Sequence, residues 1–507
     1  MPTTLCSFAI QFTLIVLCTG GCVYLPSIEK QTPSNALAAN TDSRIARFLE
    51  AAAQSQSERA LLIDSPEFAL TSRLDLIDAA DDSIDLQYFI WQNDSTGILV
   101  IEKILEAADR GVRVRALVDD VQLNGLVNRL NALNDHANIE IRIFNPFSIR
   151  WRYELGILRL AEFAIDGNRL NHRMHNKLLV VDNQLAVLGG RNIGDDYFGK
   201  STHRNFIDLD ILLSGSIIPE LSQGFDTYWN SQWAYPVNEL LDLTPVPDQL
   251  KEVRLRIRKR IKERPEIDIL AKESTVSDTL MQISQGSEIR KYVVVVDDPD
   301  VSWFDKPDEL VDDLTAVALR AEREILIVTP YLIPTPELIN AARKLISRGV
   351  NISIVTNSLE TNDVVIAQAA YSHYRKRVVE AGISLYEMRG DADVVGRTNV
   401  AKNISLHTKY IIFDEDKVFM GSFNLDPRSL YLNTELGVVL DSPALAKSLR
   451  SAFYRLTESH NSWKILKGDN GVRWQSADET FKRTPAKNLW QRFRYWIYRL
   501  LPVSRQL

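Results

Sequence analysis

The chain has 507 residues, of which 45% are hydrophobic and 25% charged. This composition excludes a disordered or fibrous chain and predicts a folded protein of about two to four domains. The formal net charge of −7 excludes a uniformly basic surface of the kind that binds nucleic acid, so an anionic substrate would need local positive charge.

The first 22 residues have the features of a targeting signal. The apolar stretch 5–17 is shorter than the ~20 residues that a membrane-spanning helix needs, which favours a signal peptide. It precedes Thr19-Gly20-Gly21-Cys22, which resembles a bacterial lipoprotein signal and predicts lipidation at Cys22. Thr19 replaces an aliphatic residue and residues 1–11 lack Lys and Arg, so an uncleaved N-terminal anchor stays open. The three cysteines all lie here, which excludes disulfides in the folded body.

Two segments of the chain repeat one order of elements. Residues 74–120 predict helix, strand, helix and strand, and residues 314–357 predict the same four elements. In both segments the second helix is followed by Arg-Gly-Val, where Gly111 and Gly349 are typical of helix C-caps. Strands that alternate with amphipathic helices indicate β-α-β units, and hence an α/β fold with a mixed or parallel sheet in each half.

The repeat suggests a division of the chain into six parts. These are a signal-like segment (1–22), a linker (23–43), a first domain (44–240), a basic insert (241–300), a second domain (301–465) and a C-terminal tail (466–507). Within the insert, residues 251–264 interleave basic and apolar side chains. This pattern predicts either contact with anionic lipid headgroups or a solvated helix face.

One motif occurs once in each half and carries the chemistry. Its spacing is HxKxxxxD, and its members are His175, Lys177 and Asp182 in the first copy and His407, Lys409 and Asp414 in the second. Each copy has a downstream tail, Gly189-Gly190-Arg191-Asn192 in the first and Gly421-Ser422-Phe423-Asn424 in the second. Each His, Lys and Asn of the second copy lies 232 residues after its counterpart. Because the chain has only 7 histidines, this match predicts a duplicated functional site rather than two packed histidines.

The residues of the motif suit phosphate chemistry. The apolar run after each Lys predicts a buried strand, on which residues i and i+2 project from one face, so each His projects together with its Lys. A protonated Lys cannot bind a metal, and no further His or Cys cluster completes a metal site. An ammonium beside an imidazole instead suits a phosphate whose oxygens gain charge in a transition state.

The paired motifs and their tails are similar to the signature of the phospholipase D superfamily. The resemblance extends over nearly the whole chain from about residue 44. Finer features resemble the cardiolipin synthase branch of that superfamily, and they lie at residues 88–92, 144–147, 173–177, 189–195 and 421–429. The resemblance implies an α/β fold of two pseudo-symmetric phospholipase D-like domains, each a mixed sheet flanked by helices. It also implies a single active site at their interface.

The same resemblance implies roles for the motif residues. One neutral histidine, by analogy His175, would attack phosphorus, and the other, His407, would protonate the departing alcohol. The near-symmetry of the motifs leaves the opposite assignment open. The phosphoryl oxygens would be held by Lys177, Lys409, Asn192 and Asn424, so neither a metal nor another cofactor is required. Asp182 and Asp414 are expected to fix strand and turn geometry despite their place in the catalytic motif.

The resemblance further implies a carboxylate that orients each histidine. In the first half the candidates are Asp208 and Asp210, between which the sequence does not decide, and in the second half the candidate is Glu435. Gly190 stands where the second copy has Ser422. This difference predicts that the two halves hold phosphate unequally.

The C-terminal tail has a basic and apolar pattern. No acid follows Glu479, whereas seven basic residues do: Lys482, Arg483, Lys487, Arg492, Arg494, Arg499 and Arg505. Within residues 486–501 the large apolar side chains recur at helical spacing on one side. A basic, Trp-rich amphipathic helix is typical of interfacial membrane binding, and docking of that face onto the protein's own core is the alternative.

Three functional hypotheses follow from the resemblance and the composition. The first is phosphatidyl transfer at a bacterial membrane, by family analogy the inner one, with phosphatidylglycerol and a second phospholipid, such as phosphatidylethanolamine, as partners. The second is hydrolysis, in which water takes the phosphohistidine of a phospholipid or, less in keeping with the acidic chain, of a nucleic acid. The third is a membrane scaffold without activity, which the two complete motifs disfavour. The oligomeric state is left open.

Overall fold

The computed structural model describes residues 25, 33–51, 58–123, 126–148, 156–240, 248–263, 276–300, 309–394, 401–469, 471–477 and 479–501. These residues form two large mixed sheets with helices packed on them. The predicted signal segment and Cys22 lie outside the described residues, as does part of the predicted linker. No helix in the described part of the chain is both long enough and apolar enough to cross a membrane.

The helices and strands follow one another as in an α/β protein. The helices are α1 (Arg44–Ala51), α2 (Pro66–Ala79), α3 (Ser95–Asp109), α4 (Val127–Asn134), α5 (Gly156–Asn171), α6 (Ile217–Trp229), α7 (Val237–Leu240), α8 (Gln249–Lys262), α9 (Val276–Ser284), α10 (Glu309–Leu319), α11 (Pro336–Ser347), α12 (Val365–Tyr371), α13 (Arg375–Glu380), α14 (Pro427–Tyr431), α15 (Pro443–Thr457) and α16 (Leu489–Tyr498). The strands of the first half are β1 (Arg59–Ile63), β2 (Ser83–Tyr88), β3 (Arg113–Asp119), β4 (Ile139–Phe144), β5 (Arg173–Met174), β6 (Lys177–Val181), β7 (Leu185–Gly189), β8 (Arg204–Ile207), β9 (Asp210–Ser214), β10 (Ala234–Pro236) and β11 (Ser287–Glu288). Those of the second half are β12 (Lys291–Val296), β13 (Glu324–Val328), β14 (Asn351–Asn357), β15 (Ser384–Met388), β16 (Asn403–Leu406), β17 (Tyr410–Phe413), β18 (Lys417–Gly421), β19 (Asn433–Thr434), β20 (Leu436–Asp441), β21 (Ser462–Gly468), β22 (Gly471–Ser476) and β23 (Glu479–Phe481).

The two sheets contain the same six-strand arrangement. In the first sheet the order β4-β3-β2-β6-β7-β9 corresponds to β15-β14-β13-β17-β18-β20 in the second. Within each set the first three strands are parallel and the following pairings are antiparallel. The predicted duplication and mixed sheets are therefore confirmed at the level of strand order.

Local signals in the sequence explain where the repeated elements begin and end. Ser65 caps α2 and Thr335 caps α11 by accepting a hydrogen bond from a backbone N–H, and each is followed by a proline at the first helical position. Gly111 and Gly349 have φ of 101° and 95°, the left-handed conformation of a helix C-cap, as predicted. The predicted strand at residues 113–119 coincides with β3. Helix α2 begins at Pro66, eight residues before the predicted start, because its buried face lacks a simple amphipathic pattern.

The two sheets share a hydrophobic core. It packs residues of β6, β7 and β9 against residues of β17, β18 and β20, and it includes the buried faces of α6 and α15. Further cores lie on the outer face of each sheet. Because this core is shared, the two sheets are packed against each other, and β6 and β17 have a fixed position relative to one another.

The basic helix α8 of the insert packs on the first half. Val253 and Ile257 are buried, and Arg254 forms an ion pair with Asp109 at 2.5 Å. Arg258 lies 3.2 Å from Glu102. These contacts favour the second interpretation of the basic run, a helix face that is partly solvated and partly paired with the protein's own acids. Strands β11 and β12 of the predicted insert belong to the two sheets, since β11 pairs with β1 and β12 pairs with β20.

Candidate active site

Two short parallel strand pairs bring the motifs together. Strand β5, which precedes His175, pairs with β19 of the second half, and β8 of the first half pairs with β16, which precedes His407. The backbone N–H of His175 donates to Thr434 O at 2.9 Å, and that of His407 donates to Ile207 O at 2.8 Å. The backbone of each histidine is therefore hydrogen-bonded to the backbone of the other half.

A carboxylate from the opposite half contacts each imidazole. His175 Nδ1 lies 2.9 Å from Glu435 Oε2, and His407 Nδ1 lies 2.6 Å from Asp208 Oδ2. Both carboxylates are buried, and their bonds join residues 260 and 199 positions apart in the chain. When Nδ1 carries the proton and donates it to the carboxylate, the Nε2 lone pair of each imidazole is free to react.

The structure separates the two carboxylate candidates of the first half. Asp208 lies in the break between β8 and β9 and contacts His407, whereas Asp210 opens β9 and forms an ion pair with Arg73 at 2.8 Å. Asp210 also accepts a hydrogen bond from the backbone N–H of Arg191. Of the two candidates, Asp208 is the one that contacts a histidine, whereas Asp210 pairs with the buried Arg73 and Arg191 of the first half.

The motif lysines lie beside their own histidines. Lys177 and Lys409 are buried, and each Nζ donates a hydrogen bond to the backbone carbonyl of the histidine two positions earlier. Lys409 Nζ also lies 2.9 Å from His407 Nδ1. Burial, assisted by the charge of Lys409, holds the pKa of Lys177 well below its usual range. Burial likewise lowers the pKa of Lys409 to about 8, against the opposing effect of Asp208.

Burial lowers the pKa of both imidazoles and so favours their neutral forms. Burial lowers the pKa of His175 to about 4, and the charges of Lys177 and Lys409 reinforce that shift against the opposing effect of Glu435. Burial also lowers the pKa of His407, with Lys409 and Lys177 adding to it and Asp208 opposing it. The lysine of each half thus acts on the histidine of the other, as expected if both motifs face one anion-binding space.

Aromatic rings, which the sequence did not mark as functional, complete the walls around the imidazoles. The edge of Phe89 contacts His175 with ring centroids 4.9 Å apart, and Lys177 Nζ lies 5.3 Å from the Phe89 centroid. Phe206 and Tyr197 pack on His407 at 4.9 Å and 5.4 Å. The sequence contains features that could have indicated two of these rings. Phe89 lies in the resemblance segment 88–92, and Phe206 lies two residues before Asp208.

The motif aspartates bind backbone amides. Asp182 accepts hydrogen bonds from the N–H groups of residues 81, 82 and 83, and Asp414 accepts from those of residues 322, 323 and 324. Both residues have positive φ, 51° and 54°, at the turn that ends their strand. This geometry supports a positioning role, and it leaves their carboxylates occupied rather than available to react.

The predicted phosphate-holding residues have different surroundings. Asn192 Oδ1 accepts a hydrogen bond from the backbone N–H of Ile90 at 3.0 Å, so this oxygen fixes the backbone at Ile90. Asn424 Oδ1 is buried, and no hydrogen-bond partner for it occurs among the described residues. Ser422 Oγ donates to Glu435 Oε2 and accepts from Leu436 N at 3.0 Å. Ser422 therefore supports the carboxylate behind His175, and its contact with substrate stays a prediction.

The difference between Gly190 and Ser422 follows from the two carboxylates. Gly190 N donates to Leu209 O, and Ser422 N donates to Leu436 O, so Asp208 and Glu435 occupy equivalent positions just before those leucines. A Cβ atom at Gly190 would lie 2.0 Å from Asp208 Oδ1, so a side chain there would displace the shorter carboxylate. The longer Glu435 leaves room for a serine that binds it.

Comparisons with known proteins agree with this architecture. Residues 74–229 and 314–457 match the family described as cardiolipin synthase, PLD-like domain. The chain is 32% identical over 470 residues to cardiolipin synthase C of Escherichia coli, covering 86% of this chain and 93% of that protein. It is 25% identical over 378 residues to the major cardiolipin synthase of Bacillus subtilis, covering 74% and 64% of the two chains. The crystal structure of phosphatidylserine synthase from Haemophilus influenzae has the same fold, with a TM-score of 0.56, 15% identity and coverage of 92% of this chain and 100% of that one.

Proposed function

Because this chain belongs to the phospholipase D-like family of the cardiolipin synthases, we propose that it is a phosphatidyltransferase that forms cardiolipin from phosphatidylglycerol and a second phospholipid. The observation that carries the proposal is the crossed pair of contacts, His175 with Glu435 and His407 with Asp208. Two imidazoles with free Nε2 atoms, beside two ammonium groups, suit the two-step displacement of a phosphodiester.

In the first step we assign the nucleophile to His175. Its neutral imidazole attacks phosphorus through Nε2, forming a P–N bond while the P–O bond to the leaving alcohol breaks. The low pKa of His175, about 4, supports this role because it keeps the attacking lone pair unprotonated near neutral pH. Glu435 accepts the Nδ1 proton and stabilises the positive charge that develops on the ring.

The leaving alcohol takes its proton from His407. A bound phosphodiester is an anion, and its charge raises the proton affinity of a nearby imidazole, so substrate binding favours the imidazolium against the opposing effect of burial. Asp208 at 2.6 Å stabilises that imidazolium. In the second step the neutral His407 accepts the proton of the incoming alcohol while that alcohol attacks phosphorus, and cleavage of the P–N bond restores His175.

The ammonium groups of Lys177 and Lys409 stabilise the phosphoryl oxygens. Both side chains are buried, and both pKa values are lowered because burial penalises the charge. A phosphate anion offsets that penalty, so the site favours a negatively charged substrate over a neutral one. Asn424 could hold a phosphoryl oxygen only through its amide Nδ2, since Oδ1 is an acceptor.

We also propose that the enzyme works on a membrane surface through helix α16. Its apolar residues project outward, with Leu489 83%, Trp490 64% and Trp496 58% exposed, whereas Tyr495 on the opposite side is buried. This exposure argues against the alternative in which the apolar face docks on the protein's own core. Exposed Trp and Leu with flanking arginines suit the headgroup region of a bilayer. The proposal rests on α16 alone, without the predicted lipid at Cys22.

A lipid assay tests the proposed transfer. Purified protein is incubated with labelled phosphatidylglycerol, with and without phosphatidylethanolamine, and the lipid products are separated. We expect labelled cardiolipin. Release of labelled phosphatidic acid without cardiolipin would instead assign hydrolysis, and absence of any product would contradict the proposed reaction.

A further inference from the structure

A basic groove lies beside helix α16, apart from the proposed active site. It has a volume of about 700 Å³ and runs between α16, the β21–β22 hairpin and residues 482–484. Its lining residues include no histidine or lysine of the two motifs and neither of the carboxylates that contact the motif histidines. The groove therefore offers a second place at which an anion could bind.

Four cations of the groove have no acidic partner among the residues that the structure describes. Lys482, Arg483, Arg492 and Arg499 line it, and no acidic side chain in the described ranges forms an ion pair with any of the four. Asp469, the only acid among the lining residues, is paired with Arg473 at 2.6 Å. Uncompensated like charges repel one another, so a bound anion would stabilise this arrangement.

The position of the arginines on α16 relates the groove to the exposed apolar face. At 100° per residue, Arg492 and Arg499 lie on one flank of the face that Leu489, Phe493 and Leu500 form, and Arg494 lies on the other flank. Trp496 belongs to both features, since it lines the groove and is 58% exposed. The groove thus opens at the edge of the surface that we propose to meet the membrane.

The groove is also connected to a loop whose charge acts on a catalytic lysine. Gln491 of α16 donates to Leu359 O at 2.6 Å, and Leu359 lines the groove. The same loop carries Asp363, which accepts a hydrogen bond from Tyr331 at 2.8 Å and whose charge raises the pKa of the buried Lys409 relative to burial alone. Helix α16 is therefore fixed to a segment that borders the site.

We propose that this groove binds the phosphate of an anionic phospholipid that is not the reacting substrate, in the membrane on which α16 lies. Four cations without an ion pair in the described part of the chain match an anion, and the adjoining exposed tryptophan and leucines match the acyl region of the same lipid. The inference uses the proposed docking of α16 for the source of the ligand. It does not depend on transfer chemistry.

Vesicle binding of paired variants tests the groove. The probe is phosphatidylcholine vesicles with and without phosphatidic acid, whose phosphomonoester has no second alcohol to lose in the proposed reaction. Arg492→Glu removes a groove cation, and Arg494→Glu makes the same charge change on the other flank. We expect Arg492→Glu to weaken binding to the anionic vesicles at least about tenfold more than Arg494→Glu, the size of one lost charge-assisted hydrogen bond.

Three further measurements keep the outcomes distinct. Thermal unfolding of both variants checks that the fold is retained. Arg499→Glu, on the same flank as Arg492, should repeat the larger loss. Equal losses for Arg492→Glu and Arg494→Glu would overturn the groove in favour of general attraction to the surface, and complete competition by soluble glycerol 3-phosphate would overturn the lipid as its ligand. Binding is measured without turnover, so failure of the transfer reaction would leave this result unchanged.

Discussion

The two halves of the molecule share one backbone plan but differ in the side chains behind their histidines. In the first half a buried acid, Asp119, accepts from Met174 N, and in the second half Asn357 accepts from Leu406 N at the equivalent position. The carboxylate of Asp208 lies next to Gly190, which has no side chain, whereas the carboxylate of Glu435 accepts a hydrogen bond from Ser422. Duplication thus preserves geometry while the local charges diverge, which allows two similar imidazoles to perform two different tasks.

The largest effect should come from removal of either imidazole. His175→Ala deletes the proposed nucleophile and His407→Ala the proposed acid, and we expect each to lower kcat at least about 10⁴-fold. Substrates with a good leaving group separate the roles, because they need no general acid and should recover activity in His407→Ala alone. Recovery in His175→Ala instead would reverse the assignment of the two halves.

Removal of the charge behind each imidazole should have the next largest effect. Glu435→Gln and Asp208→Asn keep size but lose the carboxylate that fixes the tautomer, and we expect about 10³-fold lower kcat for each. Steady-state kinetics with intact folding measures both. A variant with unchanged activity would show that its carboxylate does not support the reaction in that half.

The pH profile should distinguish the two histidines. Activity requires neutral His175, so kcat/KM should fall about tenfold per pH unit below its pKa of about 4, and it should fall again above the lowered pKa of His407. Because Asp208 raises the pKa of His407, Asp208→Asn should move only the upper limb to lower pH. Bound phosphate favours the imidazolium, so the upper limb of kcat should lie at higher pH than that of kcat/KM. A shift of the lower limb in Asp208→Asn would contradict these assignments.

The smallest change concerns the residues behind the carboxylates. Ser422→Ala removes one hydrogen bond to Glu435 and should lower kcat about tenfold. Gly190→Ala should lower kcat by more than tenfold, because the added Cβ would clash with Asp208 Oδ1. Equal effects of the two substitutions would remove the proposed difference between the halves.

Much of the site could be predicted because its signals are local. The HxKxxxxD spacing lies within a few residues of one strand, and the copy 232 residues later shows that it recurs. The crossing of the carboxylates could not be predicted, because it depends on strand pairs between the halves that leave no local pattern. Asp208 and Asp210 are two residues apart and would lie on the same face of a continuous strand. Only the break between β8 and β9 gives them different contacts. The outward direction of α16 likewise depends on tertiary packing.

The central proposal is one active centre that both halves build, with His175 as its covalent residue. The most direct test is to mix the enzyme with phosphatidylglycerol labelled in its phosphate, denature it rapidly at high pH, and map the label by peptide mass analysis. We predict no more than one labelled site per chain, at His175. Label on both His175 and His407, or two labels on one chain, would contradict a single shared centre.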